Sequence, residues 1–252
     1  MRQSILYTIT QKKSSGQKMM AALIDPDKND RRSLVRIVQN SQMADIDFFF
    51  IGGSLLIKDE LDQTIALIKE HSEIPCVLFP GSVMQISSKA DAILFLSLIS
   101  GRNPEFLIGN HVIAAPYIRQ TSLEVIPTGY MLIHCGNTTT AHYISATLPI
   151  PSDKDDIAAV TAMAGEMLGF KLIYLDAGSG ASHPIRPSMI EAVRQSVEIP
   201  IIVGGGIRSA LQAKQTYDAG ADILVIGNAL EKNASLIQQL AEVAKNPGVI
   251  KG

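Results

Sequence analysis

The chain has 252 residues, 46% of them hydrophobic and 18% charged, with a formal net charge of −2. That is long enough to bury a sizeable core, too apolar for a disordered chain, and lacks the basic excess that marks nucleic-acid binding. Two cysteines in apolar runs make no disulfide framework, the stretch Ile5-Leu6-Tyr7 is too short for a signal core, and no run nears the ~18 apolar residues of a membrane span. The expectation is a cytoplasmic enzyme-sized chain, residues 1–252 forming one domain.

In chain order, apolar runs predict strands at 19–24, 48–51, 76–79, 92–96, 130–133, 172–175, 201–203 and 223–226. They are runs rather than alternations, as expected for parallel strands covered on both faces. Helical patterns fall at 30–42, 59–71, 104–113, 157–168, 187–197, 210–219 and 234–245. Eight strands alternating with helices predict an α/β fold, a single (β/α)8 TIM barrel. Two stretches interrupt it, after strands three and four. Residues 81–91 are too few for a helix with two loops, and 114–129, with Pro116 and Pro127, reads as an irregular approach to strand five. Residues 136–151 form the longest polar loop.

Three late strands end in glycine-rich turns: Tyr174-Leu175-Asp176-Ala177-Gly178-Ser179-Gly180, Val203-Gly204-Gly205-Gly206-Ile207 and Ile226-Gly227-Asn228. The last two run straight into helical patterns. Bare N–H groups and a helix dipole aimed the same way make an anion cradle, and its place late in a β/α chain matches a barrel's phosphate site.

Barrel active sites are built at the C-terminal strand ends, so polar groups there are the candidates. Asp25, after strand one, is either a hard-cation ligand or the closure of an Asx turn. Lys28 either meets phosphate oxygens or solvates the loop. Ser54, after Gly52-Gly53, offers a hydroxyl to the rim or caps a helix. Tyr174 and Asp176 are two apart and point the same way. Asp176 is either the acceptor of a hydroxyl proton or a cap on its own turn, and Ser179 suits a phosphate donor. His134 lines the site or packs in the core, Arg208 pairs with an acidic neighbour, and Thr138–Thr140 binds anionic oxygens or its own loop. Scattered His and Cys make no zinc constellation, and no mid-strand Lys supports a Schiff-base aldolase.

From about Leu23 to Asn228 the chain resembles the geranylgeranylglyceryl phosphate synthases and their bacterial heptaprenyl relatives. The residues that carry this are Leu23–Lys28, Gly52-Gly53-Ser54, Tyr174–Gly180, Gly204–Ile207 and Gly227-Asn228. The family's base position usually holds Glu, and Asp176 is one methylene shorter. The resemblance implies an ether-lipid prenyltransferase using sn-glycerol 1-phosphate, a long polyprenyl diphosphate and Mg²⁺. It implies Asp25 and Ser54 as metal ligands, and Tyr174 and Asp176 as the catalytic glycerol-binding pair. Leu175, Ala177, Gly178, Ser179, Gly180, Gly205, Gly206, Gly227 and Asn228 complete the phosphate and glycerol site. A homo-oligomer is implied as well.

A prenyl tail needs an apolar trough, for which Phe50, Phe79, Phe95, Leu98, Ile99, Phe106 and Tyr117 are candidates, with 81–91 leaving the gap. The rival reading, a sugar-phosphate isomerase or lyase, needs a compact polar pocket and no trough. A phosphate-ligand sensor without catalysis is a third.

Overall fold

A computed structural model describes residues 4–227 and 234–246. Eight parallel strands pair in chain order and close first to last. They are β1 (Met19–Ile24), β2 (Phe48–Ile51), β3 (Cys76–Leu78), β4 (Ala92–Leu98), β5 (Glu124–Leu132), β6 (Leu172–Asp176), β7 (Ile201–Gly204) and β8 (Ile223–Ile226). The helices are α1 (Ile5–Ser14), α2 (Arg31–Ala44), α3 (Leu61–His71), α4 (Asn110–Ile118), α5 (Thr140–Ser145), α6 (Asp155–Met167), α7 (Pro187–Ser196), α8 (Ala210–Asp218) and α9 (Ala234–Lys245). Among the described residues none is long and apolar enough to cross a membrane.

Alternate side chains sort into two cores. Met19, Phe48, Phe50, Val77, Leu94, Tyr174 and Ile202 fill the barrel. Met20, Phe49, Leu175 and Val203 pack outward with the helices. Both faces of most strands are therefore buried, which is why they read as unbroken apolar runs; β5 is the exception, with Val125 exposed. Helix α1 had no such signal, because only Ile5 and Ile9 of it are buried. One turn apart, these two close the barrel's N-terminal end against the inner core. The Glu124 carboxylate, opening β5, accepts from the N–H groups of Ile5 (2.6 Å) and Leu6 (3.0 Å), donors that α1 itself leaves unpaired.

The two irregular stretches differ in outcome. Residues 81–91 form turns and no helix, and the outer face of β4 is met instead by the segment after it, with Phe95 against His111 and the Ser97 hydroxyl donating to the Leu107 carbonyl. The second stretch is shorter than expected. A π-helical turn, Glu105–Gly109, leads into α4, which carries Pro116 inside it, and β5 already begins at Glu124. Pro127 is tolerated within β5 because its carbonyl faces the Lys171 N–H (2.8 Å), just ahead of β6. The N–H it lacks would have pointed below the first residue of β6, where no ladder partner stands. The 136–151 loop contains α5, and its Ile150 makes a parallel bridge back to Ile133 just after β5.

Candidate active site

Pairing of β5 with β6 places Tyr130 beside Tyr174 and Leu132 beside Asp176. Two phenols and a carboxylate thereby converge inside the barrel near its C-terminal end. Asp176 is 8% exposed. Its Oδ2 accepts from the Tyr130 hydroxyl at 2.5 Å and its Oδ1 from the Gly178 N–H at 2.7 Å. Burial pushes the carboxyl above its ordinary value, and these two hydrogen bonds pull it partly back. Burial first, and the carboxylate charge second, drive both phenols well above the usual tyrosine range. They stay protonated and act as hydrogen-bonding groups. Phe79 stacks on Tyr174 at 5.1 Å, and Tyr130 meets Tyr174 edge-on at 5.5 Å. Gly204 makes room for this group, since a Cβ there would stand 2.7 Å from the Tyr174 hydroxyl.

The cradle lies beside the carboxylate. Gly178, Gly180, Gly205 and Gly206 all have positive φ, between 75° and 88°. The two turns interlock: a Cβ on Gly205 would come 2.9 Å from the Gly178 nitrogen, and one on Gly206 would come 2.4 Å from the His183 carbonyl. Helix α8 follows at once, capped by Ser209, whose side chain accepts from Gln212 N–H. Arg208 donates to the Ala181 carbonyl at 2.8 Å instead of pairing with an acid.

Across the mouth stands the β1–β3 rim. Asp25 Oδ2 pairs with Lys28 Nζ at 2.7 Å, and its Oδ1 accepts from the Asp27 N–H at 3.2 Å. Asp27 is occupied elsewhere, accepting from the N–H groups of Ile57 and Lys58. Gln85, 2% exposed, ties the rim together. Its Oε1 accepts from both Gly53 and Gly81 N–H at 3.2 Å, and its Nε2 donates to the Gly53 carbonyl at 2.8 Å. Among the described residues no three His, Cys, Asp or Glu side chains converge to hold a metal unaided. The Asp25 carboxylate and Ser54 hydroxyl suit Mg²⁺ nonetheless, an ion usually held by one or two carboxylates and completed by water and substrate phosphates.

One cavity of about 730 Å³ joins the two rims, lined by Asp25, Ser54, Tyr174, Asp176, Gly178–Gly180, Gly205, Gly206 and Gly227. It continues as an apolar trough past both faces of β4, with Leu94 and Leu96 on the inner face and Ile93 and Phe95 on the outer. Val83 and Ile86, from the helix-free turns after β3, line it as well. Phe79, Leu98 and Phe106 line the trough as expected. Phe50 lies in the inner core, Ile99 in the outer core, and Tyr117 is 63% exposed, so none of these three lines it. His111, on α4, meets Phe95 edge-on at 4.4 Å with its Nε2 3.2 Å from Ser97 Oγ, and burial lowers its pKa.

The sequence-predicted residues mostly gather here. The exceptions are Leu175 and Ala177, whose side chains pack outward, the Ala177 N–H being bonded to the Gly204 carbonyl. Asn228 lies outside the described residues. His134 is exposed and stacks on His142 away from the cavity. Both cysteines are buried and neither forms a disulfide, and burial pushes the Cys135 thiol up to about 12. Tyr130 and Gln85 carried no signal as site residues. Tyr130 is found only through the β5–β6 register, and Gln85 sits in a helix-free turn with nothing in its spacing to mark it.

A cavity with an anion cradle at one rim and a long apolar trough at the other defines a barrel transferase that joins a small phosphorylated substrate to an apolar one. Comparison with known proteins makes this particular: the chain belongs to the PcrB family, whose model matches residues 10–245. It is 53% identical over 242 residues to a geranylgeranylglyceryl phosphate synthase of Chitinophaga pinensis, covering 96% of each chain. It is 52% identical over 233 residues to that of Spirosoma linguale, covering 92% of this chain and 94% of the relative. Among solved structures it matches the (S)-3-O-geranylgeranylglyceryl phosphate synthase of Thermoplasma acidophilum in complex with sn-glycerol-1-phosphate. The TM-score is 0.92 at 33% identity, covering 97% of this chain and 99% of that one.

Proposed function

We propose that this chain transfers a geranylgeranyl group, or a polyprenyl group of similar length, from its diphosphate to the C3 hydroxyl of sn-glycerol 1-phosphate. The observation that carries the reading is a single cavity in which Asp176 lies between a glycine cradle and an apolar trough. The trough argues against a sugar-phosphate isomerase or lyase, whose ligand has no long apolar part to bury.

The N–H groups of the Gly178–Gly180 and Gly205–Gly206 turns, with the α8 N-terminus behind them, hold the glycerol phosphate. That anchoring turns its far hydroxyl toward Asp176 and fixes its approach to the prenyl carbon. The allylic C–O bond breaks with its electron pair leaving on the diphosphate. The glycerol oxygen forms the new ether bond, and its proton passes to Asp176. Burial makes Asp176 a stronger base than an exposed carboxylate, and Tyr130 and Gly178 hold its two oxygens in place. Mg²⁺ at Asp25 and Ser54 would neutralise charge on the leaving diphosphate. Phe79, Phe95, Leu96 and Leu98 keep water from the reacting carbon and seat the tail. A cytoplasmic setting and association of copies belong to the same reading.

The test mixes protein, radiolabelled glycerol 1-phosphate, geranylgeranyl diphosphate and Mg²⁺, then extracts with organic solvent. Label entering the organic phase is the expected result. Label that stays aqueous with every prenyl length tried ends the proposal. Chelation of divalent cations should abolish transfer, and Asp25→Asn should raise the Mg²⁺ concentration needed for half-maximal rate.

A further inference from the structure

The proposed reaction asks the cavity to hold two anions, and its two rims are built differently. At the β6–β8 rim the donors are backbone N–H groups of glycine turns. At the β1–β3 rim the glycine N–H groups of Gly53 and Gly81 are taken, because Gln85 Oε1 already accepts from both. Besides the charge that a metal ion at Asp25 and Ser54 would bring, positive charge for a second anion at that rim comes from side chains.

Two cationic side chains line the described cavity, Lys28 and Arg208. The Arg208 guanidinium is drawn to the Ala181 carbonyl on the cradle side. Lys28 stands at the other rim, 2.7 Å from Asp25 Oδ2, with its side chain 45% exposed. The turn that carries it is firmly tied. Its N–H donates to the Asp25 carbonyl at 3.2 Å, and the Asp27 carboxylate is held by two N–H groups of the loop after β2. A flexible four-carbon stem on a fixed base lets the ammonium pivot between partners while its root stays put.

We propose that Lys28 is the diphosphate-binding residue of the prenyl donor's rim. Its ammonium here neutralises Asp25; with the donor bound it turns to the diphosphate oxygens, its three N–H groups serving as a mobile point charge. This rests on the prenyl-transfer reading for the ligand's class, a diphosphate ester.

The test is calorimetric binding to the full chain with Mg²⁺ present, using inorganic pyrophosphate and glycerol 1-phosphate as separate probes. Lys28→Met should weaken pyrophosphate binding ~10-fold or more, as loss of a charge-assisted contact does, and leave glycerol 1-phosphate within ~2-fold. Lys28→Arg should recover most of the loss. Pyrophosphate binding unchanged in Lys28→Met overturns the proposal, and so does an equal loss of both ligands, which would mean general damage to the mouth. Should the wild-type protein make no extractable product yet bind pyrophosphate through Lys28, prenyl transfer falls and the clamp stands.

Discussion

The Tyr130 hydroxyl donates to Asp176 Oδ2 across 2.5 Å, joining neighbouring strands through side chains as well as through their ladder. Asp176 is thereby a buried carboxylate with both oxygens oriented. Burial makes the charged carboxylate costly to the fold, and the proposed role as base is what would offset that cost, the trade-off expected where function sets a residue.

Replacing Asp176 with Asn should separate those two effects. Turnover is expected to fall ~100-fold or more, the scale of a lost general base. Stability should move the other way. Because burial raises the folded-state pKa of Asp176, its protonated form favours folding at low pH, and that contribution is lost as pH rises through the folded value. The Asn variant has no such loss. Its Tm should exceed the wild-type value at pH 7, and the gap should shrink on acidification. Thermal scans across pH check this, and an Asn variant less stable at neutral pH would contradict it.

Tyr130→Phe removes a hydrogen bond that holds the Asp176 carboxyl down. The carboxyl should then protonate at higher pH, moving the acid limb of the kcat profile upward. In the proposed mechanism deprotonated Asp176 is the working form, so the loss of rate should appear on the acid side only. A limb that stays where it was would show that the base does not feel this phenol.

Gly206→Ala puts a Cβ 2.4 Å from the His183 carbonyl at a φ of +75°. A side chain in that conformation costs ~1–2 kcal/mol before the clash is counted. The expected outcome is a lower Tm together with a raised KM for glycerol 1-phosphate, with the KM for the prenyl donor little changed. Steady-state kinetics against each substrate separate the two.

Gln85→Leu leaves two N–H groups and one carbonyl at the β1–β3 rim without their partner. The expected loss is ~3 kcal/mol by denaturant unfolding, since buried unsatisfied groups each carry a desolvation penalty. Gln85→Glu keeps an acceptor for Gly53 and Gly81 but not the donor to the Gly53 carbonyl, and should fall between Leu and wild type.

The barrel and much of its site are local in origin, which is why the chain alone announces them. A strand that runs into glycines and then a helix carries its anion cradle with it, and Asp25 and Asp176 stand at strand ends whatever the distant pairing. The missing helix after β3 is likewise a matter of counting residues 81–91. Long-range features were silent. Helix α1 buries only two side chains, too few for a periodic signal, yet closes one end of the barrel. Tyr130 reads as one more strand residue until β5 is laid beside β6.

Sequence by itself therefore determined the alternation of strands and helices, the glycine turns after the late strands and the acidic residues at the strand ends, because each depends on neighbours within a few positions. Only the tertiary structure decided which phenol touches Asp176, that Gln85 occupies the backbone donors of one rim, and that the trough runs past Phe95 but not Phe50 or Tyr117. Those outcomes follow from strand register and barrel closure, which bring together residues tens of positions apart and decide which face of each strand stays open.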